Sequence, residues 1–437
     1  MTADDAAPSG AASDSFESQA STAGLVLPRR TGLNLWLAVA IVAIVVGASV
    51  GVGDLTGWAI GPHAARGGPG LYGPQQCAHV PSYLSVYLPA SISPHADPEL
   101  SGAFTGWGTG FSNWSGGCVH LEESMSSGDG YTPDLAGGLV DLVATDAAPN
   151  ATDRAGLPHA IDLVPAAVVP VAVLYDLPGI SAPLRLDGAV LAGIFNGSIT
   201  SWNDPAIASL NPSVDLSGMP AVTALYRSDA SGVNGAFTHY LASASRSWNA
   251  SVGWGDSVAW PTGTAASGPA EMSTALARTP GAVGYVEATG SVPMNSSEAL
   301  LENPAGSFSE PTSAGASAAL EALQNTTPVQ HADWTNVSLV DSPGAASYPV
   351  CELLLAAIYH DLGIAYGGHL SQTNATWLLT FLWWLGGDAG PLVSSLGFGL
   401  LPKSVVGLDQ VELESVTYNG GSLLENNEGG GGETGEF

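Results

Sequence analysis

One segment of the sequence combines the residue types that bind an anion: an arginine after a strand, and a turn that leads into a helix. The β-rich run Val222–Tyr226 leads to Arg227, and the turn after it contains Asp229, Ser231 and Gly232. Apolar residues at helical spacing follow directly, so Ser231 and Gly232 stand at or just before a helix N-terminus. Backbone N–H groups that lack partners there, at the positive end of the helix dipole, form an anion site.

The arginine of this segment suits a tetrahedral oxyanion, because a guanidinium is a planar fork that can donate two parallel hydrogen bonds. Asp229 is expected to support the site by holding the guanidinium of Arg227 in place. The same residues also suit an ordinary strand–turn–helix junction with an N-cap serine. For this segment taken alone, both interpretations stay open.

A second serine–glycine turn, residues 126–130, precedes a short helical pattern and a strand that ends at Asp146. The hydroxyls of Ser126 and Ser127, with the helix N–H groups, would form a second anion clamp. A carboxylate at the C-terminal end of a strand faces the ligand crevice of an open α/β sheet. Asp146 could accept a hydrogen bond from a protonated anion and repel a fully ionised one such as sulfate. The alternative for Asp146 is an Asx-type cap before Pro149.

Charge and composition restrict the classes of function. The chain has 437 residues, with 9 Lys and Arg against 39 Asp and Glu, and a formal net charge of −30. This balance excludes nucleic-acid binding, which needs clustered Lys and Arg against the phosphates. The histidines show no zinc-ligand spacing, and the sequence contains no Gly-X-Ser-X-Gly nucleophile elbow. We therefore expect no catalytic residues, no metal and no cofactor.

The N-terminal part is expected to anchor the protein to the membrane. Residues 32–53 form an apolar run long enough to cross a bilayer. Arg29 and Arg30 precede this run and orient its N-terminal end towards the cytoplasm. Residues 1–31 would then be a cytoplasmic tail, and the binding domains would be extracytoplasmic. A cleaved signal peptide and a twin-arginine export signal are the alternatives.

Two further features agree with an exported protein. Asn-X-Ser/Thr acceptor sites such as Asn113 and Asn374 are compatible with a glycoprotein. Cys77 and Cys118 could bridge adjacent strands outside the cell, although whether they do stays open. The third cysteine, Cys351, lies in an apolar run and is interpreted as a buried small hydrophobic residue.

Apolar β-type runs alternate with helical patterns after residue 76, which indicates an α/β protein with mostly parallel sheets. Residues 54–76 are a Gly/Pro-rich linker, and residues 418–437 are expected to be a disordered acidic tail. The predicted strands are Ser82–Leu88, Leu139–Ala144, Ala166–Leu174, Val222–Tyr226 and Ala282–Val286. The predicted helices are Ala189–Ile194, Asn234–Ala244, Ala270–Arg278, Cys351–His360 and Ala375–Leu385.

The motifs that contain these residues resemble the substrate-binding protein of the phosphate ABC transporter, the PstS-type family. The resemblance covers roughly residues 120–290 and continues at residues 375–406. It is carried, in this order, by Val140-Asp-Leu-Val-Ala-Thr-Asp-Ala-Ala-Pro, Arg227-Ser-Asp-Ala-Ser-Gly, Trp260-Pro-Thr-Gly, Thr279-Pro-Gly-Ala-Val-Gly-Tyr-Val-Glu and Leu401-Pro-Lys-Ser-Val-Val.

This resemblance implies a two-lobed, periplasmic-binding-protein-like fold of type II, in which two α/β domains are joined by a two-strand hinge. One domain would comprise residues 77–172 and 288–417, and the other residues 173–287. The chain would cross near Val171–Leu174 and return near Gly284–Ala288. The phosphate ligands that the motif positions imply are Arg227, Ser231, Gly232, Asp146, Ser126, Ser127, Val233 and, in a further loop, Ser91.

At position 233 the family has a threonine where this chain has valine, so only the backbone N–H of Val233 could act as a ligand. The function that the resemblance implies is capture of inorganic phosphate and its delivery to the permease subunits of an ABC transporter. The alternatives are a phosphate-ester hydrolase, or a surface phosphate sensor or adhesion protein, that uses the same anion pocket.

Overall fold

The computed structural model describes most of the chain after residue 81. The predicted tail, anchor and linker, Cys77, and the loop residues Ser91, Ser126 and Ser127 lie outside the described residues. In the part of the chain that is described, none of the helices combines the length and the apolar character needed to cross a bilayer. The described residues are 82–88, 98–125, 131–146, 148, 149, 151–180, 182–288, 293, 295–326 and 334–424.

Strands and helices alternate through the described residues, as the sequence predicted. In chain order the strands are β1 (Ser82–Leu88), β2 (Val119–Met125), β3 (Leu142–Thr145), β4 (Ile161–Tyr175), β5 (Arg185–Leu186), β6 (Thr223–Arg227), β7 (Thr264–Ala266), β8 (Ala282–Glu287), β9 (Ser297–Glu298), β10 (Leu300–Glu302), β11 (Phe308–Ser309), β12 (Cys351–Tyr359), β13 (Thr417–Tyr418) and β14 (Gly421–Ser422). The helices are α1 (Pro98–Ser115), α2 (Tyr131–Ala136), α3 (Ala151–Ala155), α4 (Gly188–Phe195), α5 (Pro205–Leu210), α6 (Gly232–Ala244), α7 (Arg246–Ser251), α8 (Gly268–Arg278), α9 (Ser313–Thr326), α10 (Leu362–Tyr366), α11 (Gln372–Gly386), α12 (Gly390–Ser395) and α13 (Lys403–Ser415).

The central sheet of the described residues has nine strands, in the order β2-β1-β3-β12-β4-β8-β6-β7, with β9 beside β4. Parallel pairs join β1 to β2 and β3, and β6 to β7 and β8. Antiparallel pairs join β12 to β3 and β4, and β4 to β8 and β9. The sheet is therefore mixed, and the expectation of mostly parallel sheets was wrong, because β4 and β12 each run against the neighbours on both of their sides.

The longest strand, β4, joins the two halves of this sheet. Its residues 161–170 pair with β12, and its residues 171–175 pair with β8. In the second half, Val171 lies opposite Glu287 and Leu174 lies opposite Gly284. The two segments that the resemblance implied as crossing strands thus lie side by side in the structure.

The segment Cys351–Tyr359 is strand β12, so the helix predicted from Cys351 to His360 was wrong. All nine residues of β12 are buried, between β3 on one side and β4 on the other. A strand covered on both faces shows a continuous apolar run instead of an alternating pattern. Its leucines and alanines also favour a helix by intrinsic propensity, and burial in the sheet overrides that preference.

Other elements differ from the predictions mainly at their ends. The strand predicted over Leu139–Ala144 is β3, which begins only at Leu142, and Leu139 is exposed in the segment before it. The hairpin of β13 and β14 extends to Ser422, so the predicted start of the disordered tail at residue 418 falls inside ordered structure. The aromatic run of α11 packs in the core, where Phe381 and Trp384 contact Phe111.

The two described cysteines, Cys118 and Cys351, differ in whether they form a disulfide. Cys118 is disulfide-bonded, while its expected partner Cys77 lies outside the described residues. Cys351 is a free thiol and is buried at the start of β12. The interpretation of Cys351 as a buried small hydrophobic residue is confirmed.

Candidate anion-binding site

The N-terminus of α6 is the centre of the site. Ser231 is its N-cap, with an extended backbone, and its hydroxyl accepts a hydrogen bond from the Asn234 N–H at 3.4 Å. The first helical residue, Gly232, donates its backbone N–H to Oδ2 of Asp146 at 3.1 Å. Asp146 follows β3 and is 86 positions away in the chain. The structure thus brings together a carboxylate and a helix N-terminus from the two separate sequence segments.

The approach of Asp146 to this helix is close enough to require glycine at position 232. A Cβ atom at Gly232 would lie 2.6 Å from Cγ of Asp146, which is well inside the contact distance of two carbon atoms. Val233, the next residue, is fully buried, so its side chain belongs to the core. Of Val233, only the backbone can therefore face a ligand.

The guanidinium of Arg227 is fully buried behind this turn. Its Nε donates to the two carboxylate oxygens of Asp229 at 2.9 and 3.1 Å, and Nη2 donates to Oδ2 at 2.5 Å. Its Nη1 lies 3.4 Å from Oε1 of Glu287, which is also buried. Of these two carboxylate contacts of Arg227, the one with Asp229 is short and the one with Glu287 is longer.

The carboxylate of Asp229 is the fixed partner in this cluster. It accepts a further hydrogen bond from the backbone N–H of Gly268, at the start of α8, at 2.7 Å. Burial alone would raise the pKa of Asp229, but the hydrogen bonds and the charge of Arg227 outweigh it and hold this pKa below the ordinary value. Asp229 is thus ionised at neutral pH and forms a buried ion pair with Arg227.

Asn234 fixes the shape of the turn, and sequence reasoning did not single it out. Its side-chain amide donates to the backbone carbonyls of Asp229 at 2.7 Å and Asp256 at 3.1 Å. Its Oδ1 accepts from the hydroxyl of Tyr285, which in turn accepts from the backbone N–H of Arg227 at 3.1 Å. An asparagine in the first turn of a helix gives no sequence signal for such a network, because its partners come from distant elements.

Four carboxyl groups surround the helix N-terminus: Asp146, Asp256, Glu287 and Glu352. Burial, followed by the charges of Asp256 and Glu287, raises the pKa of Asp146 from 3.8 to about 6. Burial and three carboxylate neighbours raise the pKa of Glu352 well above its ordinary value. Among the described residues, no group of three or more His, Cys, Asp or Glu is arranged to hold a metal ion.

Sequence reasoning missed Asp256, Glu287 and Glu352. Glu287 closes the motif that begins at Thr279, which was used for the resemblance but was given no role in the site. Glu352 was visible as the one charged residue in the apolar run Cys351–Tyr359. Asp256 lies in a loop and gave no signal.

A cavity of about 260 Å³ opens at this place. Asp146, Gly232, Asp256 and Glu352 supply polar groups to its wall, and His239 and Trp254 lie on α6 and on the loop after α7. Ser231 is buried next to Gly232. The predicted ligands Arg227, Ser231 and Val233 are not among the residues that line this cavity. The remaining predicted ligands, Ser91, Ser126 and Ser127, lie outside the described residues. The arrangement offers helix N–H donors and a carboxyl acceptor to an anion that itself carries a proton.

Known proteins are similar to this chain in sequence and in fold. The model of the PBP superfamily domain matches residues 119–385. The phosphate-binding protein PstS of Pasteurella multocida is 34% identical over 245 residues, which cover 56% of this chain and 69% of that protein. The chain belongs to the PstS family of the PBP superfamily. Another member, from Methanocaldococcus jannaschii, is 31% identical over 261 residues, which cover 57% of this chain and 66% of that protein.

A solved structure supports the fold of this PstS family member independently. The crystal structure of a phosphate-binding protein from Stenotrophomonas maltophilia superposes with a TM-score of 0.52 at 15% identity, over 76% of this chain and 93% of that chain. At this identity the similarity concerns the fold alone. It confirms the two-lobed α/β fold that the resemblance implied. The superfamily match includes the site segments that contain Asp146, Arg227, Gly232 and Glu352.

Proposed function

We propose that this protein captures inorganic phosphate outside the cytoplasm and delivers it to the permease subunits of an ABC transporter. The observation that carries this proposal is the contact between the Asp146 carboxyl group and the Gly232 N–H at the N-terminus of α6. It supports the proposal because Asp146 could accept a hydrogen bond from a ligand O–H beside helix N–H groups that attract anions. The family relatives are named phosphate-binding proteins, which agrees with this chemistry.

The Asp146 carboxyl group gives the site its preference for phosphate. Phosphate carries at least one proton near neutral pH, so it can donate a hydrogen bond to Asp146. Sulfate is fully ionised at that pH and would meet the carboxylate without such a bond, which is repulsive. Bound phosphate would take the place of Asp146 as an acceptor for the Gly232 N–H.

Arg227 supplies the positive charge. Its contact with Glu287 through Nη1 is long, at 3.4 Å, while its contact with Asp229 is short. We infer that the anion contacts Nη1, and that Asp229 holds the other edge of the guanidinium in position. Ser231, Val233 through its backbone, and the loop residues Ser91, Ser126 and Ser127 complete the proposed ligand set.

The two proposed lobes are residues 77–172 with 288–417, and residues 173–287, joined by β4 and β8. Asp146 belongs to the first and α6 to the second. An anion that contacts groups of both lobes stabilises the arrangement in which the lobes are close, so binding shifts the population from open to closed. In this proposal residues 32–53 hold the protein at the membrane beside the permease, and the protein performs no covalent chemistry.

The test is a calorimetric titration of the full-length chain, purified in detergent, with inorganic phosphate. We expect saturable binding in the micromolar range or tighter, since several hydrogen bonds to a charged ligand contribute about 1.5–3 kcal/mol each before entropy losses. Arg227→Ala should abolish the binding. Arg185→Ala is the matched control, because Arg185 is exposed and stacks on Phe308 away from the cavity.

Loss of Arg227 also leaves Asp229 and Glu287 buried without their cation, which can cost about 3–5 kcal/mol of stability. Circular dichroism must therefore show that the Arg227→Ala variant is folded, and Arg227→Lys, which keeps the charge but loses the fork, should bind more weakly than the original protein. Phosphate affinity that is unchanged in both variants would refute the assignment. Turnover of a chromogenic phosphate ester would favour a hydrolase instead.

A further inference from the structure

Glu352 is a buried carboxyl group that lines the cavity and is not one of the proposed phosphate ligands. It is the second residue of β12 and lies opposite Val169 of β4. It lines the same cavity as Asp146 and Gly232. Its residue is only 6% exposed, and neither carboxyl oxygen has a hydrogen-bond partner among the residues that the structure describes.

A buried carboxyl group in this state is costly. If ionised and unpaired, it would lose its hydration without compensation, so it takes up a proton instead. If neutral, its O–H group is a buried donor without an acceptor, and such groups in native proteins call for an explanation. A ligand that brings a hydrogen-bond acceptor into the cavity would explain this unpaired O–H group.

The charged groups around Glu352 favour its neutral form. Asp146 after β3, Glu287 on β8 and Asp256 in the loop before β7 are all acidic, and among the described residues whose charge acts on Glu352 only Arg227 on β6 is a cation. Arg227 is already paired with Asp229. The other titratable groups among the described residues that line the cavity are His239 on α6 and the thiol of Cys351. Burial lowers the pKa of His239 and raises that of Cys351, so both are neutral near pH 7.

We propose that Glu352 is a further ligand-contacting residue of this site, and that its protonated carboxyl group donates a hydrogen bond to an unprotonated oxygen of the bound anion. This inference rests on the proposed phosphate-binding function. Asp146 and Glu352 then have opposite roles, since the first accepts the proton of the anion and the second donates its own. Together they match an anion that carries both an O–H group and bare oxygens.

The test compares two substitutions of Glu352 in the full-length chain by calorimetric titration with inorganic phosphate at pH 7. Glu352→Gln keeps an N–H donor and should bind within about threefold of the original protein. Glu352→Leu keeps the approximate volume but no donor, and its affinity should fall about 10- to 100-fold. Asp409→Leu is the control, because Asp409 is an equally buried carboxyl group without partners among the described residues and does not line this cavity.

A pH profile separates this role from a structural one. Above neutral pH the phosphate affinity of the original protein should fall as Glu352 loses its proton. The affinity of Glu352→Gln should fall less over the same range, because its side-chain amide does not titrate. The titration of phosphate itself affects both proteins equally. Equal affinities of the Leu variant and the original protein, or identical pH profiles of the Gln variant and the original protein, would overturn the proposal. Absence of phosphate binding by the original protein would refute the proposed function itself.

Discussion

Replacement of Asp146 by asparagine tests the electrostatics of the site quantitatively. The asparagine side chain would keep an oxygen that accepts from the Gly232 N–H but would carry no charge. Burial and the neighbouring carboxylates raise the pKa of Asp146 from 3.8 to about 6. At about 1.4 kcal/mol per unit, ionised Asp146 destabilises the folded protein by up to about 3 kcal/mol relative to its neutral form.

The sign of this effect fixes its pH dependence. Because the pKa is higher in the folded than in the unfolded protein, the contribution of Asp146 is most favourable below about pH 4 and is lost as the pH rises to about 6. The difference in the free energy of unfolding between Asp146→Asn and the original protein should therefore grow from near zero at pH 4 to up to about 3 kcal/mol at pH 7.

Urea unfolding of both proteins at several pH values measures this difference. Asp215→Asn is the control, since Asp215 is exposed and its carboxylate accepts a hydrogen bond from Ser217, so its loss should bring no gain in stability. The same Asp146→Asn variant should also bring the affinity for sulfate closer to that for phosphate. A constant stability difference from pH 4 to pH 7, together with unchanged anion preference, would refute the role assigned to Asp146.

Two further substitutions test the geometry of the site. Gly232→Ala would place a Cβ atom 2.6 Å from Cγ of Asp146, in the space beside the Gly232 N–H that the anion would enter. We therefore expect at least a tenfold loss in phosphate affinity by calorimetry, and unchanged affinity would contradict the assignment of the anion to this N–H. Asn234→Ala removes the side chain that hydrogen-bonds to the carbonyls of Asp229 and Asp256 and to the hydroxyl of Tyr285. Because buried groups left unpaired cost about 1–3 kcal/mol each, urea unfolding should show a decrease of at least about 2 kcal/mol in the free energy of unfolding. A decrease below about 0.5 kcal/mol would show that the network is dispensable.

The elements of the site that depend on local sequence could be predicted. A β-rich run before Arg227 and an N-cap serine before a helical apolar pattern are local signals, and β6 and α6 begin and end close to the predicted positions. The approach of Asp146 to Gly232 needed the resemblance as well, because no local pattern relates residues so far apart.

The rest of the site depends on the arrangement of the sheet. Glu352 reaches the cavity only because Cys351–Tyr359 is a central strand, and its apolar composition indicated a helix. Glu287 meets Arg227 because β8 pairs with β6, which brings together residues 60 positions apart. Sequence periodicity reports which face of an element is buried but not which element lies beside it.

The central claim is that phosphate binds at the N-terminus of α6, between Asp146 and Arg227. A crystal structure of the full-length protein grown with phosphate tests it most directly. We expect the anion within hydrogen-bond distance of the Gly232 N–H, of a carboxyl oxygen of Asp146 and of the Arg227 guanidinium. Phosphate bound elsewhere, with the contact between Asp146 and Gly232 intact, would contradict it.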